Sequence, residues 1–192
     1  MATINTTQHA AVELNGLFNQ LLRYRDSQAA RDNPQRLGPW LQQQLKVGIF
    51  PPLSHLPFES GGYTRNYIAK EQLDRVASRI HNPTGERPIF ESSRFEALIM
   101  RWDKHSKTSI HGHPSFSFYY VISGIFKVEH FERTALGQLH TKEIQRLAPT
   151  DATWSLGRAH RYDNSIHRVT CLIPGLTFHV YSDDALKGNV FD

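Results

Sequence analysis

The second half of this 192-residue chain is rich in short segments with the composition of β-strands, and this feature constrains the fold most. From about Phe95 onward, β-branched and aromatic residues recur in short runs separated by turn-forming residues. Strands this frequent, joined by turns, predict a small antiparallel barrel or sandwich. The predicted strands span 95–102, 116–122, 125–131, 138–147, 166–173 and 176–182.

The first part of the chain has the spacing of amphipathic helices instead. Apolar residues over 8–24 fall on one stripe of a helix. A second helix is predicted to begin at Gly38-Pro39 and to stop at Gly48, and a third to span 71–80. We therefore expect a single domain over residues 1–192, with a helical part over 1–82 that includes the Arg65 segment and a β-barrel over 94–183.

Composition narrows the possible partners and compartments. No apolar run reaches the length of a membrane span, and the first residues lack the features of a signal peptide. The one cysteine, Cys171, allows no internal disulfide, which suits a cytoplasmic protein. The net charge of +4 comes from scattered basic residues, so we expect no nucleic-acid partner.

The segment from Ile110 to Gly124 carries the first chemical signal. His111 and His113 are two residues apart, so on a strand their imidazoles point to the same face and can bind one metal ion. The aromatic run after them is predicted to be a core strand that ends in a tight turn at Ser123-Gly124.

A third histidine comes from the last two predicted strands, which Pro174-Gly175 is predicted to join as a hairpin. The strand period of two then places several chemically active residues of this hairpin on one inner face. Three imidazoles in a barrel interior suit Zn, Fe, Ni or Cu. The third imidazole is His167, and the predicted cross-strand pairs are His167 with Tyr181, Val169 with His179, and Cys171 with Thr177.

Arg65 is the candidate for charge recognition. It lies two residues from Tyr63 and two from Tyr67. An inward-pointing guanidinium needs an anionic partner because it stays charged. That partner is either an internal Asp or Glu or a substrate carboxylate, and the sequence leaves both open.

Four short segments together resemble the cysteine dioxygenases of the cupin superfamily, over roughly residues 58–183. Each segment is weak alone, but their order and spacing match the family. They are Tyr63-Thr64-Arg65-Asn66, Trp102 with Ser109-Ile110-His111-Gly112-His113, Ile166-His167-Arg168-Val169, and Thr177-Phe178-His179-Val180-Tyr181.

The resemblance implies a mainly β fold, a cupin jelly-roll barrel with N-terminal α-helices. It also implies Fe(II) as the cofactor, a small thiol and O₂ as the partners, and L-cysteine oxidised to cysteine sulfinic acid. The roles it implies are metal ligation by His111, His113 and His167, substrate binding by Arg65 with Tyr63 nearby, and a relay from Thr177 through His179 to Tyr181.

Three departures from the family are visible. Gly112 stands where the animal members have an aspartate, and Ser117 or Phe118 stands where they have a cysteine cross-linked to the catalytic tyrosine. Cys171 is far along the strand from Tyr181 in the predicted register, so no cross-link is expected. The stretch 83–93 is also longer than the resemblance leads us to expect, so the pocket is a candidate for a different small thiol.

Three alternatives stay open at this point. The same chemistry could act on another carboxylated thiol such as 3-mercaptopropionate. A non-catalytic metal-binding cupin would bind metal without consuming oxygen. Three histidines also suit a zinc hydratase or hydrolase. The remaining histidines are interpreted as surface or structural, and Cys171 as a small core residue.

Overall fold

The computed structural model describes residues 6–45, 49–50, 56–70 and 95–191. Within these ranges the chain is mainly β, with helices collected before the first strand, as the sequence predicted. None of the helices described here is long and apolar enough to cross a membrane. The helices are α1 (Thr6–Arg25), α2 (Gln28–Asp32) and α3 (Leu37–Gln44), and the strands are β1 (Tyr63–Lys70), β2 (Glu96–Trp102), β3 (Ile110–His113), β4 (Phe116–Arg133), β5 (Leu139–Leu147), β6 (Ala152–Leu156), β7 (Asn164–Tyr181) and β8 (Val190–Phe191).

The helices cover one face of the sheet. Leu14, Leu17 and Leu21 recur at helical spacing on α1 and are buried. Tyr24 of α1 stacks on Trp40 of α3, with ring centroids 4.5 Å apart. The first two predicted helices are confirmed, although α3 already ends at Gln44. The predicted helix at 71–80, the predicted stop at Gly48 and the long stretch at 83–93 lie outside the described residues.

The strands form one curled antiparallel sheet in which β7 is central. Its second half pairs with β2, its first half pairs with β3, and β4 pairs with it along almost its whole length. Strand β2 carries apolar side chains on both of its faces, and both faces are buried. Ala97 and Ile99 pack towards the helices, whereas Leu98 and Met100 face the interior of the curled sheet.

The two predicted turns are wrong. Strand β4 continues through Ser123-Gly124 and β7 continues through Pro174-Gly175, because both are paired irregularities rather than hairpins. Gly124 has φ +87°, and a Cβ on Gly175 would lie 2.1 Å from the carbonyl oxygen of Ser123. Proline is tolerated in a strand at such an irregularity, where a ladder hydrogen bond is already missing.

The predicted hairpin register is therefore also wrong. His167 pairs with His111 on one side and His130 on the other, while Tyr181 pairs with Glu96 and Ser117. The prediction of a shared inner face is nevertheless confirmed, because the strand period of two continues along β7. Residues from both halves of β7 line one interior cavity, namely His167, Val169, His179 and Tyr181.

Candidate metal centre and active site

The interior of the curled sheet holds a narrow cavity that is partly open to solvent. Strands β1, β2, β3 and β7 all contribute to its walls. The lining residues with polar side chains include Arg65, Trp102, His111, His113, His167, His179 and Tyr181.

Three of these residues form a cluster that we call the histidine cluster: His111, His113 and His167. One ligand nitrogen from each lies within 4.8 Å of the others. The cluster forms because the strand period places His111 and His113 on one face of β3, and β3 pairs with β7 so that His167 lies opposite His111. His113 is almost completely buried, with 1% of its surface exposed.

The histidine cluster is uncharged at neutral pH. Burial lowers the pKa of His113 and of His167 well below the ordinary value, and the neighbouring imidazoles lower it further. Burial also lowers the pKa of His111, although a hydrogen bond with the carbonyl of Ser109 opposes this shift. Neutral imidazoles carry a free lone pair, which is the form that binds a metal ion.

Backbone hydrogen bonds fix the direction of two of the three rings. The His111 Nδ1 lies 2.9 Å from the carbonyl oxygen of Ser109. A backbone hydrogen bond to Ser165 acts in the same way on His167 and raises its pKa. When Nδ1–H donates to a carbonyl, the lone pair of Nε2 is left for a metal, which is the usual arrangement of metal-binding histidines.

The cluster fits a metal ion by its spacing. The Nε2 atoms of His113 and His167 are 3.2 Å apart. Two nitrogens at about 2.1 Å from one ion, separated by about 90–110°, would be about 3.0–3.4 Å apart. His113 Nδ1 is buried and has no hydrogen-bond partner among the described residues. The residues present therefore suit a divalent transition metal with open positions for other ligands.

Arg65 lies on β1 and lines the cavity beside the cluster. No carboxylate among the described residues forms a salt bridge with it, whereas Lys70 on the same strand pairs with Glu96 and Asp184. The guanidinium lies 5.9 Å from the ring centroid of Tyr63. The sequence left two kinds of partner open for Arg65, an internal Asp or Glu and a substrate carboxylate. Among the described residues, no internal Asp or Glu forms a salt bridge with it.

The two tyrosines beside Arg65 have different positions. Tyr63 packs on Trp102, with ring centroids 4.6 Å apart, and is not among the residues that line the cavity. Tyr67 is the one that lines the cavity. Sequence reasoning singled out Tyr63 because of the family resemblance, and no pattern in the sequence distinguished the two.

A second group, which we call the relay, comprises Thr177, His179 and Tyr181 on one face of β7. Thr177 Oγ1 lies 2.7 Å from His179 Nε2, and His179 Nδ1 lies 2.9 Å from the Tyr181 hydroxyl. Burial lowers the pKa of His179 to about 3, so this imidazole is neutral. Burial also raises the pKa of Tyr181, which keeps its hydroxyl protonated. The Tyr181 ring stacks on His113 at 5.1 Å and thereby connects the relay to the histidine cluster.

The packing around Gly112 explains one departure from the family. A Cβ on Gly112 would lie 2.5 Å from the backbone of Tyr162 and Asp163. The Gly112 N–H donates to the carbonyl oxygen of Asn189 at 2.8 Å. The backbone of Tyr162 and Asp163 fills the space where an aspartate side chain would begin, so an acidic residue has no room here.

The other departures also have defined surroundings. Ser117, not Phe118, lies opposite Tyr181, and its hydroxyl is hydrogen-bonded with Ser155 at 2.9 Å. Cys171 is fully buried, as predicted for a core residue. Burial raises the pKa of its thiol to about 11.

Sequence reasoning missed a buried acid next to the site. Glu96 is fully buried, accepts a hydrogen bond from the Ala185 N–H at 2.9 Å, and lies 3.3 Å from Lys70 Nζ. Burial raises the pKa of its carboxyl. A charged residue inside the apolar run 95–102 was the available signal, since an acid is seldom buried without a partner.

His130 was also missed, because it was interpreted as a surface or structural histidine. It is half-buried, pairs with His167 across β4 and β7, and its ring centroid lies 5.9 Å from that of His167. Its Nε2 is buried with no hydrogen-bond partner among the described residues. The proximity of His130 to His167 follows from the register between β4 and β7, which the sequence does not show.

No protein-family model matches this chain. No curated protein matches it either. A solved RmlC-like cupin from Shewanella frigidimarina is 20% identical and covers 47% of this chain and 67% of its own, with a TM-score of 0.36. A cupin superfamily protein from Desulfitobacterium hafniense is 11% identical and covers 70% of this chain and 90% of its own, with a TM-score of 0.46.

A hydroquinone 1,2-dioxygenase, solved in complex with Cd2+ and 4-hydroxybenzonitrile, is 12% identical. The match covers 48% of this chain and 60% of that protein, with a TM-score of 0.39. The mainly β fold with N-terminal helices expected from the sequence is shown by the helices and strands of the structure itself.

Proposed function

We propose that this protein is an Fe(II)-dependent thiol dioxygenase that oxidises a small carboxylated thiol, with L-cysteine as the first candidate. The observation that carries the proposal is the convergence of three neutral histidines, Arg65 and Tyr181 on one small cavity. In the reaction, one thiol and one O₂ give one sulfinic acid. Both oxygen atoms end on sulfur, which is oxidised while O₂ is reduced.

His111, His113 and His167 would hold the iron. Neutral ligands would leave the positive charge of the iron undiminished, so a bound iron would supply the charge that stabilises a thiolate and an open position for O₂. The protein keeps the histidines neutral by burial, which removes competition from protons at neutral pH.

Arg65 would bind the substrate carboxylate. It lines the same cavity as the histidines and has no salt-bridge partner among the described residues. A guanidinium can hold a carboxylate with two parallel hydrogen bonds, which fixes the direction of a short substrate. The thiol at the other end of the molecule then points towards the histidine cluster.

3-Mercaptopropionate is the alternative substrate, and one observation favours it. The described residues that line the cavity include the cation Arg65 but no carboxylate. The ammonium group of cysteine would therefore find no acidic partner on that part of the wall. 3-Mercaptopropionate has the same carboxylate and thiol without the amine.

Oxygen uptake by the Fe(II)-loaded protein tests the proposal. L-Cysteine, 3-mercaptopropionate and cysteamine, which lacks a carboxylate, are compared, and products are identified by mass spectrometry. We expect one sulfinate per O₂ with one of the two carboxylated thiols and little turnover of cysteamine. Stoichiometric iron without oxygen uptake from any thiol would instead favour a metal-binding cupin without catalysis.

Arg65→Gln tests the carboxylate contact, with Arg146→Gln on the exposed face of β5 as the matched control. Losing a charge-assisted hydrogen bond costs about 1.5–3 kcal/mol, so KM for the carboxylated thiol should rise about 10- to 100-fold. The control should keep the wild-type KM. An unchanged KM in Arg65→Gln would remove the carboxylate from the proposal.

A further inference from the structure

The relay does not end at Thr177. The indole Nε1 of Trp102 lies 2.7 Å from Thr177 Oγ1, so Trp102, Thr177, His179 and Tyr181 form one hydrogen-bonded chain from β2 to the cavity. Trp102 is 1% exposed and Thr177 is fully buried. Protein groups, not bulk water, therefore determine the direction of each hydrogen bond in the chain.

Counting hydrogens along the chain fixes its direction. The indole N–H is a donor only, so Thr177 must accept the hydrogen bond from Trp102. Thr177 has a single hydrogen of its own, and His179 Nε2 is the acceptor next to it. If Thr177 donates to Nε2, the one proton of the neutral imidazole is on Nδ1.

The same tautomer determines the direction of the hydrogen bond between His179 and Tyr181. His179 Nδ1–H donates to the oxygen of Tyr181 at 2.9 Å. The hydroxyl hydrogen of Tyr181 takes no part in these hydrogen bonds, so it can be donated to a group in the cavity. The opposite tautomer of His179 would reverse this bond, and Tyr181 would then use its hydrogen on His179 and offer only lone pairs to the cavity.

The opposite tautomer requires another acceptor for the hydrogen of Thr177. One candidate is Tyr119, whose hydroxyl is buried and has no hydrogen-bond partner among the described residues. Burial raises the pKa of Tyr119, and an interaction with Thr177 opposes the shift. The distance of 2.7 Å between Thr177 Oγ1 and His179 Nε2 is typical of an O–H donor, whereas N–H···O bonds are usually about 2.9–3.0 Å long, which favours Thr177 as the donor in this bond.

We propose that Trp102 is a positioning residue whose indole N–H holds His179 in the Nδ1–H tautomer, so that Tyr181 presents a hydrogen-bond donor to the cavity. This deepens the proposed function by giving Tyr181 the role of donor to a bound ligand. The tautomer is a property of the protein without substrate, so it can be tested even if no thiol is oxidised.

Nitrogen NMR of the full chain labelled with 15N-histidine reads the tautomer directly. Metal-free and zinc-loaded protein are both diamagnetic and suitable. The His179 signals are assigned by their loss in His179→Asn. We expect wild-type His179 to have a protonated Nδ1 and an unprotonated Nε2. A protonated Nε2 in the wild type would overturn the proposal without any further variant.

Trp102→Phe removes the N–H donor and keeps an aromatic ring. We expect the Nε2–H tautomer to become populated, because Thr177 is then free to accept from His179. Trp154→Phe is the matched control, since Trp154 stacks on Phe118 and has no hydrogen bond to the relay. If Trp102→Phe keeps the wild-type tautomer, Trp102 does not set it.

A further variant covers the case in which Trp102→Phe does not fold. Tyr119→Phe removes the alternative acceptor for the hydrogen of Thr177. Under the proposal this change leaves the Nδ1–H tautomer of His179 unaltered. A changed tautomer in Tyr119→Phe would show that Thr177 donates to Tyr119 and would overturn the assignment.

Discussion

The histidine cluster and the relay are both built from neutral groups on the inner face of the sheet. They differ in how many of their hydrogen-bonding groups have a partner within the protein. The relay and Trp102 are joined by three hydrogen bonds of 2.7–2.9 Å, and the Tyr181 hydroxyl is the group of the relay that faces the cavity. In the cluster, lone pairs converge and two Nε2 atoms face each other at 3.2 Å. The relay therefore satisfies its own buried polar groups up to the Tyr181 hydroxyl, whereas the cluster gains most from a cation placed among its nitrogens.

The largest expected effect comes from breaking the cluster. His167→Ala removes one of three ligands, so metal affinity should fall by at least about 100-fold, the upper range for losing even an outer-shell partner. Elemental analysis and titration calorimetry measure it. His140→Ala, on the exposed face of β5, is the control and should bind metal normally. Full occupancy in His167→Ala would mean that the metal is held elsewhere.

A smaller effect is expected from moving the cluster without removing a ligand. Gly112→Ala forces a methyl group to within 2.5 Å of the backbone of Tyr162 and Asp163. Overpacking of this kind costs about 1–3 kcal/mol of unfolding free energy. Denaturant unfolding measures it, together with a loss of metal affinity.

Gly16→Ala is the matched control for this substitution. A Cβ there meets nothing within 4 Å, and Gly16 lies in α1. Because glycine is unfavourable in a helix, the control should gain about 0.5–1 kcal/mol. Equal effects of the two substitutions would mean that the contacts of Gly112 do not constrain β3.

The pH dependence of the free energy of unfolding tests the relay, because His179 is neutral in the folded protein. The pKa of His179 is about 3 in the fold, whereas an unfolded histidine titrates near about 6.5. As the pH falls below about 6.5, His179 becomes protonated in the unfolded chain but stays neutral in the folded protein. The free energy of unfolding should therefore fall, by up to about 1.4 kcal/mol per pH unit for this histidine, until the folded form is also protonated.

Urea unfolding of the metal-free protein between about pH 7 and about pH 4 measures this slope. His179→Asn should flatten the slope, and His140→Asn, in the exposed part of β5, should not. If His179→Asn and wild type share one slope, His179 does not resist protonation as its burial implies.

The smallest effect is expected at Cys171, which lies on β7 between the two groups. With a pKa of about 11, only about one thiol in a thousand is ionised at pH 8, and the side chain is fully buried. Iodoacetamide should leave the native protein unlabelled and label it in urea. Rapid labelling of native protein would mean that this part of β7 opens readily.

Periodicity predicted the site better than it predicted the topology. His111 with His113, and Thr177 with His179 and Tyr181, share faces because a period of two survives any change in pairing partner. The turns failed because Pro174-Gly175 has the composition of a turn in a place where the tertiary structure imposes an irregular strand pair.

Other features had no local signal at all. The partner of His167 is set by the meeting of β3 and β7, more than fifty residues apart in the chain. The contact of Gly112 with Tyr162, and the pairing of β3 with β8, depend on loops whose paths no short pattern encodes. Glu96 was visible as an acid in an apolar run, but its partner Lys70 was not.

The pairing of β8 with β3 has a consequence for biosynthesis. Ile110 pairs with Phe191 and His111 with Val190, so the strand that carries two residues of the histidine cluster is flanked by a segment made about 80 residues later. During translation His111 and His113 leave the ribosome long before His167 and longer still before β8. The histidine cluster is therefore fully framed by its neighbouring strands only after β8 has been synthesised.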